Sequence, residues 1–403
     1  MFLQGVGGVA VAQTLLARGA LSAERAPLTA GLPQGAYDMA SLEALPGKRP
    51  LIKLTTRPPN FETPASYFAN PITPNDAFFV RYHLAGIPAR IDAQQWKLDV
   101  GGEGAGTPFQ LGMADLRNLE QAEITAVCQC SGNRRGLSSP HVPGVQWGVG
   151  AMGNAVWRGP RLKDVLAKAG LKPGVVEIVI DGADGPPLTG TPDFVKSLPL
   201  AKAMDENTII AIQMNGEPLP QFNGFPARLI VPGWTATYWM KHLVSIQAVT
   251  KPFDGFWMKG AYRLPTGMFP TVQRFASQEN EMNTPITEMV VNSLIATPAE
   301  GTRVRMGETV NVTGVAWDGG YGIGSVAVSV DGGMGWREAT LGNDLGRFAF
   351  RPFSFRFTPD SAGPRTILAR ATNRLGETQV DMLIFNPAGY HNNVVRPTTI
   401  MVG

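Results

Sequence analysis

The chain changes hydrophobic rhythm part-way along its length. Before about residue 280, short apolar runs are broken by glycine and proline, and one stretch has a helical period. In "RLKDVLAKAG", Leu162, Val165, Leu166 and Ala169 recur on one face, Pro160 stands at the start and Gly170 at the end, which predicts an amphipathic helix. "VVEIVIDG" and "ARLIVPG" are continuous apolar runs that stop at glycine, as buried strands do. After about residue 283 the period drops to two. Val326, Val328 and Val330 alternate before a turn at Asp331-Gly332, Phe353, Phe355 and Phe357 alternate in "RPFSFRF", and "RTILARATNRLGE" reads as another strand and turn.

These patterns predict an α+β protein in two parts. A mixed α+β domain is expected over 45–280, followed by an immunoglobulin-like β-sandwich over 285–403 that lacks the paired cysteines of antibody domains. A length of 403 residues exceeds what one core usually serves, and 47 Gly with 33 Pro favour strands and loops over long helices. The Pro- and Gly-rich segment 24–60 is expected to form an extended arm laid over the first domain. Residues 1–23, apolar and rich in small residues, read as the remnant of an export signal without its basic start. "FLQG" resembles the residues just after the paired arginines of twin-arginine signals, so a periplasmic or otherwise exported protein is expected. No later segment has the unbroken apolar length of a membrane span. A net charge of +3, with no basic run, argues against nucleic acid but suits a small anionic substrate.

The chemistry concentrates in "AVCQCSGNRRG", Ala126 to Gly136, which contains both cysteines. "ITAVCQC" reads as a strand and "SGNRRG" as the loop leaving it. Cys128 and Cys130 are expected to face opposite sides, with Cys130, nearer the loop, reaching a site. Arg134 and Arg135 beside it favour a thiolate, which binds soft metals or attacks carbon. Three readings stand at this point: two buried cysteines under a solvated loop, a nucleophilic cysteine, or a soft metal centre. The four histidines show no diagnostic spacing, and CxxC and HExxH are absent. A metal bound mainly by a cofactor, needing one protein thiolate, fits this count.

Seven stretches in order resemble the molybdopterin-dependent sulfite oxidase family: "TPNDAFFVRYHLAGIP", "CSGNRRG", "GAMGNAVWRGPRLKDVL", "MNGEPLPQFNGFPARLIVPG", "YWMKHL", "FDGFWMKGAYRLP" and "GVAWDGGYGIGSVAVSVDGG". The resemblance implies that Cys130 is the single protein ligand of molybdenum and that Cys128 is packing. It implies substrate arginines at Arg81 and Arg135, an active-site phenol at Tyr262 and a pocket-wall indole at Trp147. It implies cofactor contacts from Phe79, Tyr82, His83, Asp184, Asn223, Arg228, Trp239 and Lys241. Asn223 and Tyr238 depart from the histidine and arginine of many eukaryotic members. Oxidation of sulfite to sulfate is the activity that the resemblance implies, in a homodimer, with electrons passed singly to an external acceptor such as a c-type cytochrome. No haem-attachment motif is present in the chain. Nitrate reduction, sulfoxide reduction and non-catalytic anion binding are the competing expectations.

Overall fold

A computed structural model describes residues 41–403. The expected export segment and the start of the expected arm lie outside the described residues. Strands dominate. Helices are few and short, the longest α-helix among the described residues being Leu162–Ala169. Its four apolar positions are buried, and Gly170 ends it in the left-handed region at φ 61°. Pro160 does not open this helix. It closes the strand Met152–Pro160, and Arg161 takes the N-cap position.

The remainder of the expected arm is woven into a sheet. Ser41–Glu43, Leu51–Thr55, Asn60–Glu62 and Val80–Arg81 pair antiparallel in that order. Leu51, Phe61, Val80 and Tyr82 form its small core, so hydrophobic burial fixes the register that presents Arg81. A five-stranded sheet orders Lys196–Pro199, Glu177–Gly182, Leu243–Val249, Leu98–Gly101 and Phe109–Leu111, with one parallel pair in the middle. A third sheet is built on the long hairpin of Gln121–Gln129 against Met152–Pro160.

That hairpin corrects the expectation for the cysteines. Residues two apart on a regular strand share a face, so alternation cannot separate Cys128 from Cys130. The end of the strand separates them: Cys128 pairs opposite Gly153 within the sheet, whereas Cys130 lies beyond the last strand residue, Gln129.

The C-terminal part stacks a four-stranded sheet, which includes Val310–Trp317 and Arg351–Phe357, on a five-stranded one, which includes Ile323–Ser329 and Gly363–Asn373. Val312 and Phe353 from the first pack with Val326, Ile367 and Ile400 from the second in one core. Another cluster joins the two halves of the chain, with Phe68, Val127 and Met152 meeting Leu294, Trp317 and Phe350. Arg134 pins the same junction. Its fully buried guanidinium donates to the carbonyls of Ser293 at 2.6 Å and Val394 at 3.3 Å, and its own carbonyl accepts from Asn392 at 3.1 Å. Among the described residues no helix is long and apolar enough to cross a membrane.

Glu62 braces the loop next to Cys130. Its carboxylate accepts the N–H groups of Gly148 at 2.7 Å and Gly150 at 2.9 Å. Those donors favour the charged form, but burial disfavours it more strongly and pushes the carboxyl up to about 7. A folded value above the unfolded one means that this group's stabilisation is complete at pH values below about 4.5 and is lost as pH rises through about 7. Relative to Glu62→Gln, the wild type should lose up to about 3 kcal/mol of stability between pH 5 and 8 in urea titrations. Parallel pH profiles for the two proteins would exclude this titration.

Candidate active site

The loop after Gln129 is fixed by backbone bonds on both sides of the thiol. The Cys130 N–H donates to the Ala151 carbonyl and the Asn133 N–H to the Cys130 carbonyl, both at 2.9 Å. The Asn133 side chain accepts from the Ala151 N–H at 3.1 Å, and the Arg134 N–H reaches the Gly148 carbonyl at 2.8 Å. Arg134 itself takes a left-handed turn at φ 69°, which sends the chain back across the C-terminal part. Cys130, at 7% exposure, is thereby set in the wall of a cavity.

Ten of the thirteen residues expected at the site line this cavity. Phe79, Arg81 and His83 come from the strand Val80–Arg81 and its flanks, Cys130 from its loop, and Asp184 from the turn after Glu177–Gly182. Asn223 and Arg228 flank the turn at Gly224, and Trp239, Lys241 and Tyr262 complete the set. Arg228 is buried and lies over the rings of Trp157 and Trp239. Its Nη1 donates to the Asn223 carbonyl at 3.1 Å and its Nη2 to the Cys128 sulfur at 3.3 Å. Cys128 is thus both a packed core residue and the acceptor that orients this arginine. Burial raises its thiol pKa.

Lys241 donates to the Arg81 carbonyl at 2.6 Å. Loss of solvent holds its ammonium well below the usual lysine range, although Asp184 opposes the shift. The same cause raises the Asp184 carboxyl, against the pull of Lys241. His83 stacks on Phe194 at 3.6 Å, and its Nε2 contacts the Tyr262 hydroxyl. Burial, followed by the field of Arg81, drives the imidazole well below its ordinary value. A neutral His83 can therefore accept a hydrogen bond from the Tyr262 phenol, whose own pKa burial raises.

The other three expected residues stand outside the lining. Tyr82 is fully buried behind it and supports His242. The His242 Nδ1–H donates to the Phe225 carbonyl at 2.7 Å, so its Nε2 accepts from the Tyr82 hydroxyl at 2.8 Å. Trp147 is fully buried edge-to-face with Phe79, and its indole N–H has no partner. The Arg135 guanidinium turns to the Ala388 carbonyl at 2.7 Å and the Val145 carbonyl at 3.3 Å, rather than to the cavity.

Two relevant residues escape a reading of the sequence. Lys48, from the expected arm, donates to Asn223 Oδ1 and to the carbonyls of Asn75 and Phe78. Desolvation lowers its ammonium to about 7, with Asp76 opposing. Tyr390 stacks in parallel on Tyr262 at 5.7 Å. Neither lies in a local motif, and both reach the site from a distant part of the chain.

Cations outnumber carboxylates in the lining: Arg81, Arg228 and Lys241 face the single Asp184. Ser131 Oγ, Thr237 Oγ1 and Arg228 Nε, all on lining residues, are buried without a partner. Buried polar groups are normally paired, so these atoms are consistent with a polar, anionic ligand. No group of three or more His, Cys, Asp or Glu among the described residues makes a protein-only metal site. A metal here would depend on a cofactor, with Cys130 as the protein's soft ligand.

Comparison with known proteins agrees with this geometry. Residues 83–257 match an oxidoreductase molybdopterin binding domain, and residues 283–401 match a Mo-co oxidoreductase dimerisation domain. Mitochondrial sulfite oxidase of Rattus norvegicus is 36% identical over 305 residues, covering 73% of this chain and 54% of that protein. Sulfite oxidase of Arabidopsis thaliana is 30% identical over 357 residues, covering 83% of this chain and 89% of that protein. The crystal structure of the sulfane dehydrogenase SoxCD from Paracoccus pantotrophus superposes with a TM-score of 0.73 at 25% identity, over 92% of this chain and 90% of that one. The chain spans about half the length of the mitochondrial relatives it matches. With a near full-length match to the plant enzyme and both domain models in order, the chain belongs to the sulfite oxidase family of molybdopterin-binding oxidoreductases.

Proposed function

We propose that this protein oxidises sulfite to sulfate at a molybdenum–molybdopterin centre and passes the electrons singly to an external acceptor, a c-type cytochrome being the fitting class. The carrying observation is the Cys130 thiol in a cation-rich cavity with unpaired polar atoms in its walls. The balance is sulfite plus water giving sulfate, two protons and two electrons. When bound, the cofactor supplies a metal that accepts the electron pair and delivers the oxygen atom.

The chain's residues provide position, charge and proton control. Cys130 would hold the metal through one soft, strongly donating bond. Arg228, Lys241 and Asn223, the last braced by Lys48, would hold the pterin and its phosphate. Arg81 attracts the substrate anion with a fixed charge and directional donors. Tyr262 keeps its proton at neutral pH and is oriented by His83, so its hydroxyl can donate to an oxygen of the substrate.

The same proposal includes a catalytic domain over 45–280 and an immunoglobulin-like domain over 285–403 that joins two copies. Export through the twin-arginine route rests on residues 1–23 alone. The likeness to the sulfane dehydrogenase favours one second reading, oxidation of a sulfane sulfur at the same centre. Parallel assays with sulfite, a sulfane donor, nitrate and methionine sulfoxide distinguish these chemistries. Purified protein without molybdenum, from a host that makes the cofactor, would favour a non-catalytic anion-binding protein.

Cys130→Ser should reduce sulfite oxidation to background. Cys128→Ser, which keeps a hydrogen-bond acceptor for Arg228, should retain most of the activity and its molybdenum. Equal losses in the two variants would refute the assignment of Cys130. Arg81→Met removes charge-assisted bonds of about 1.5–3 kcal/mol and should raise KM by roughly 10- to 100-fold. Added salt should raise the wild-type KM and affect the variant less. A KM that neither change moves would show that Arg81 does not bind substrate.

A further inference from the structure

We infer that Tyr390, carried by the C-terminal part, holds the Arg135 charge behind the Tyr262 wall of the cavity, so that this distant segment sets anion affinity at the proposed site through the field of that guanidinium. The inference rests on the sulfite-oxidising reading. Its geometric basis is a close-fitting slot around one guanidinium. The Arg135 Nε donates to the Ala388 carbonyl at 2.7 Å, and the guanidinium carbon lies over the Tyr390 ring at 5.4 Å from its centroid. Tyr390 in turn stacks on Tyr262 at 5.7 Å with the rings inclined by 11°. Tyr262 shares the cavity wall with Cys130 and Arg81. One unbroken set of contacts therefore runs from Arg135, through Tyr390 and Tyr262, to the cavity.

The slot is made of residues that leave no spare volume. A Cβ on Gly132 would stand 2.6 Å from the guanidinium carbon of Arg135, one on Gly144 2.8 Å from its Nη1, and one on Gly389 2.8 Å from its Cγ. Gly389 also adopts φ +62°, which a side chain would strain. Asn386 closes the turn on both sides, with its amide donating to the Tyr390 carbonyl at 2.8 Å and its oxygen accepting the Tyr390 N–H at 2.9 Å. The ring of Tyr390 is thus held in place before any ligand arrives. An aromatic face under a guanidinium is attractive, and the Ala388 and Val145 carbonyls that accept from Nε and Nη1 leave its charge in place, whereas a carboxylate partner would neutralise it. Tyr390 is a positioning residue: it acts through Arg135.

The test uses the full chain with three variants: Tyr390→Leu, Tyr390→Phe and Gly389→Ala. Tyr390→Leu removes the ring and should raise KM for sulfite about tenfold while kcat changes less than about threefold. Tyr390→Phe keeps the ring and should stay near wild type in both. Gly389→Ala keeps Tyr390 but crowds Arg135, and should raise KM as Tyr390→Leu does. It carries the test if the leucine variant does not fold. Sulfate affinity, measured by calorimetric titration of each protein, should weaken in step with KM. Wild type that binds sulfate but does not oxidise sulfite would defeat the functional reading, while the titrations would still judge the slot. Unchanged KM and sulfate affinity in Tyr390→Leu and Gly389→Ala, or an equal loss in Tyr390→Phe, would overturn the role of the ring.

Discussion

Positive charge is gathered around the cavity, and backbone carbonyls rather than carboxylates hold it there. Lys241 bonds the Arg81 carbonyl, Lys48 those of Asn75 and Phe78, Arg228 that of Asn223, and Arg135 that of Ala388. This choice of partner has an electrostatic consequence. A carboxylate would neutralise each cation and cancel its field, whereas a carbonyl satisfies donors and leaves the net charge in place. The arrangement is costly for the empty protein, because desolvation penalises each ammonium, and it becomes favourable once an anion enters. The depressed values of Lys48 and Lys241 have that origin. A bound anion would oppose the shift of Lys241, which lines the cavity.

The fold is organised to bear this cost. Arg81 lies on a strand whose register is fixed by a small core, and Cys130 lies one residue past the end of a long hairpin. The loop at Cys130 is braced by the Trp147–Ala151 segment, and that segment by Glu62. Each layer fixes the one inside it, the loop at Cys130 through backbone hydrogen bonds and the segment behind it through the buried Glu62 carboxyl. Placement of a single thiolate therefore does not depend on the loop alone.

Local pattern made part of this legible in the sequence. The helix Leu162–Ala169, the strands Glu177–Gly182 and Arg228–Ile230, and the alternating C-terminal strands arise from periodicity within ten or so residues. The cavity lining was legible by resemblance, because its residues sit inside contiguous motifs. The hidden part depends on contacts between distant segments. Lys48 meets Asn223 across 175 positions, and Arg135 meets Ala388 across 253. No periodicity announces such a meeting. Tyr82 shows the converse limit. It adjoins two lining residues in sequence, yet strand alternation turns it into the small core behind the cavity. Pro160 is a boundary error of the same kind, since a proline can close a strand as readily as open a helix.

Arg134 and Arg135 place both demands, stability and charge, on one short loop. The left-handed turn at Arg134 sends two adjacent, identical side chains along different paths. The first is sealed against the carbonyls of Ser293 and Val394 and joins the two parts of the chain. The second is set on Tyr390, one contact away from the cavity wall. Both depend on the C-terminal part, one to join the two halves and the other to hold its charge behind the cavity wall. If that part also joins two copies of the chain, association and substrate affinity share the same few residues. Loosening the joint at Arg134 would then disturb Arg135 through a single peptide bond, without any change at the metal ligand.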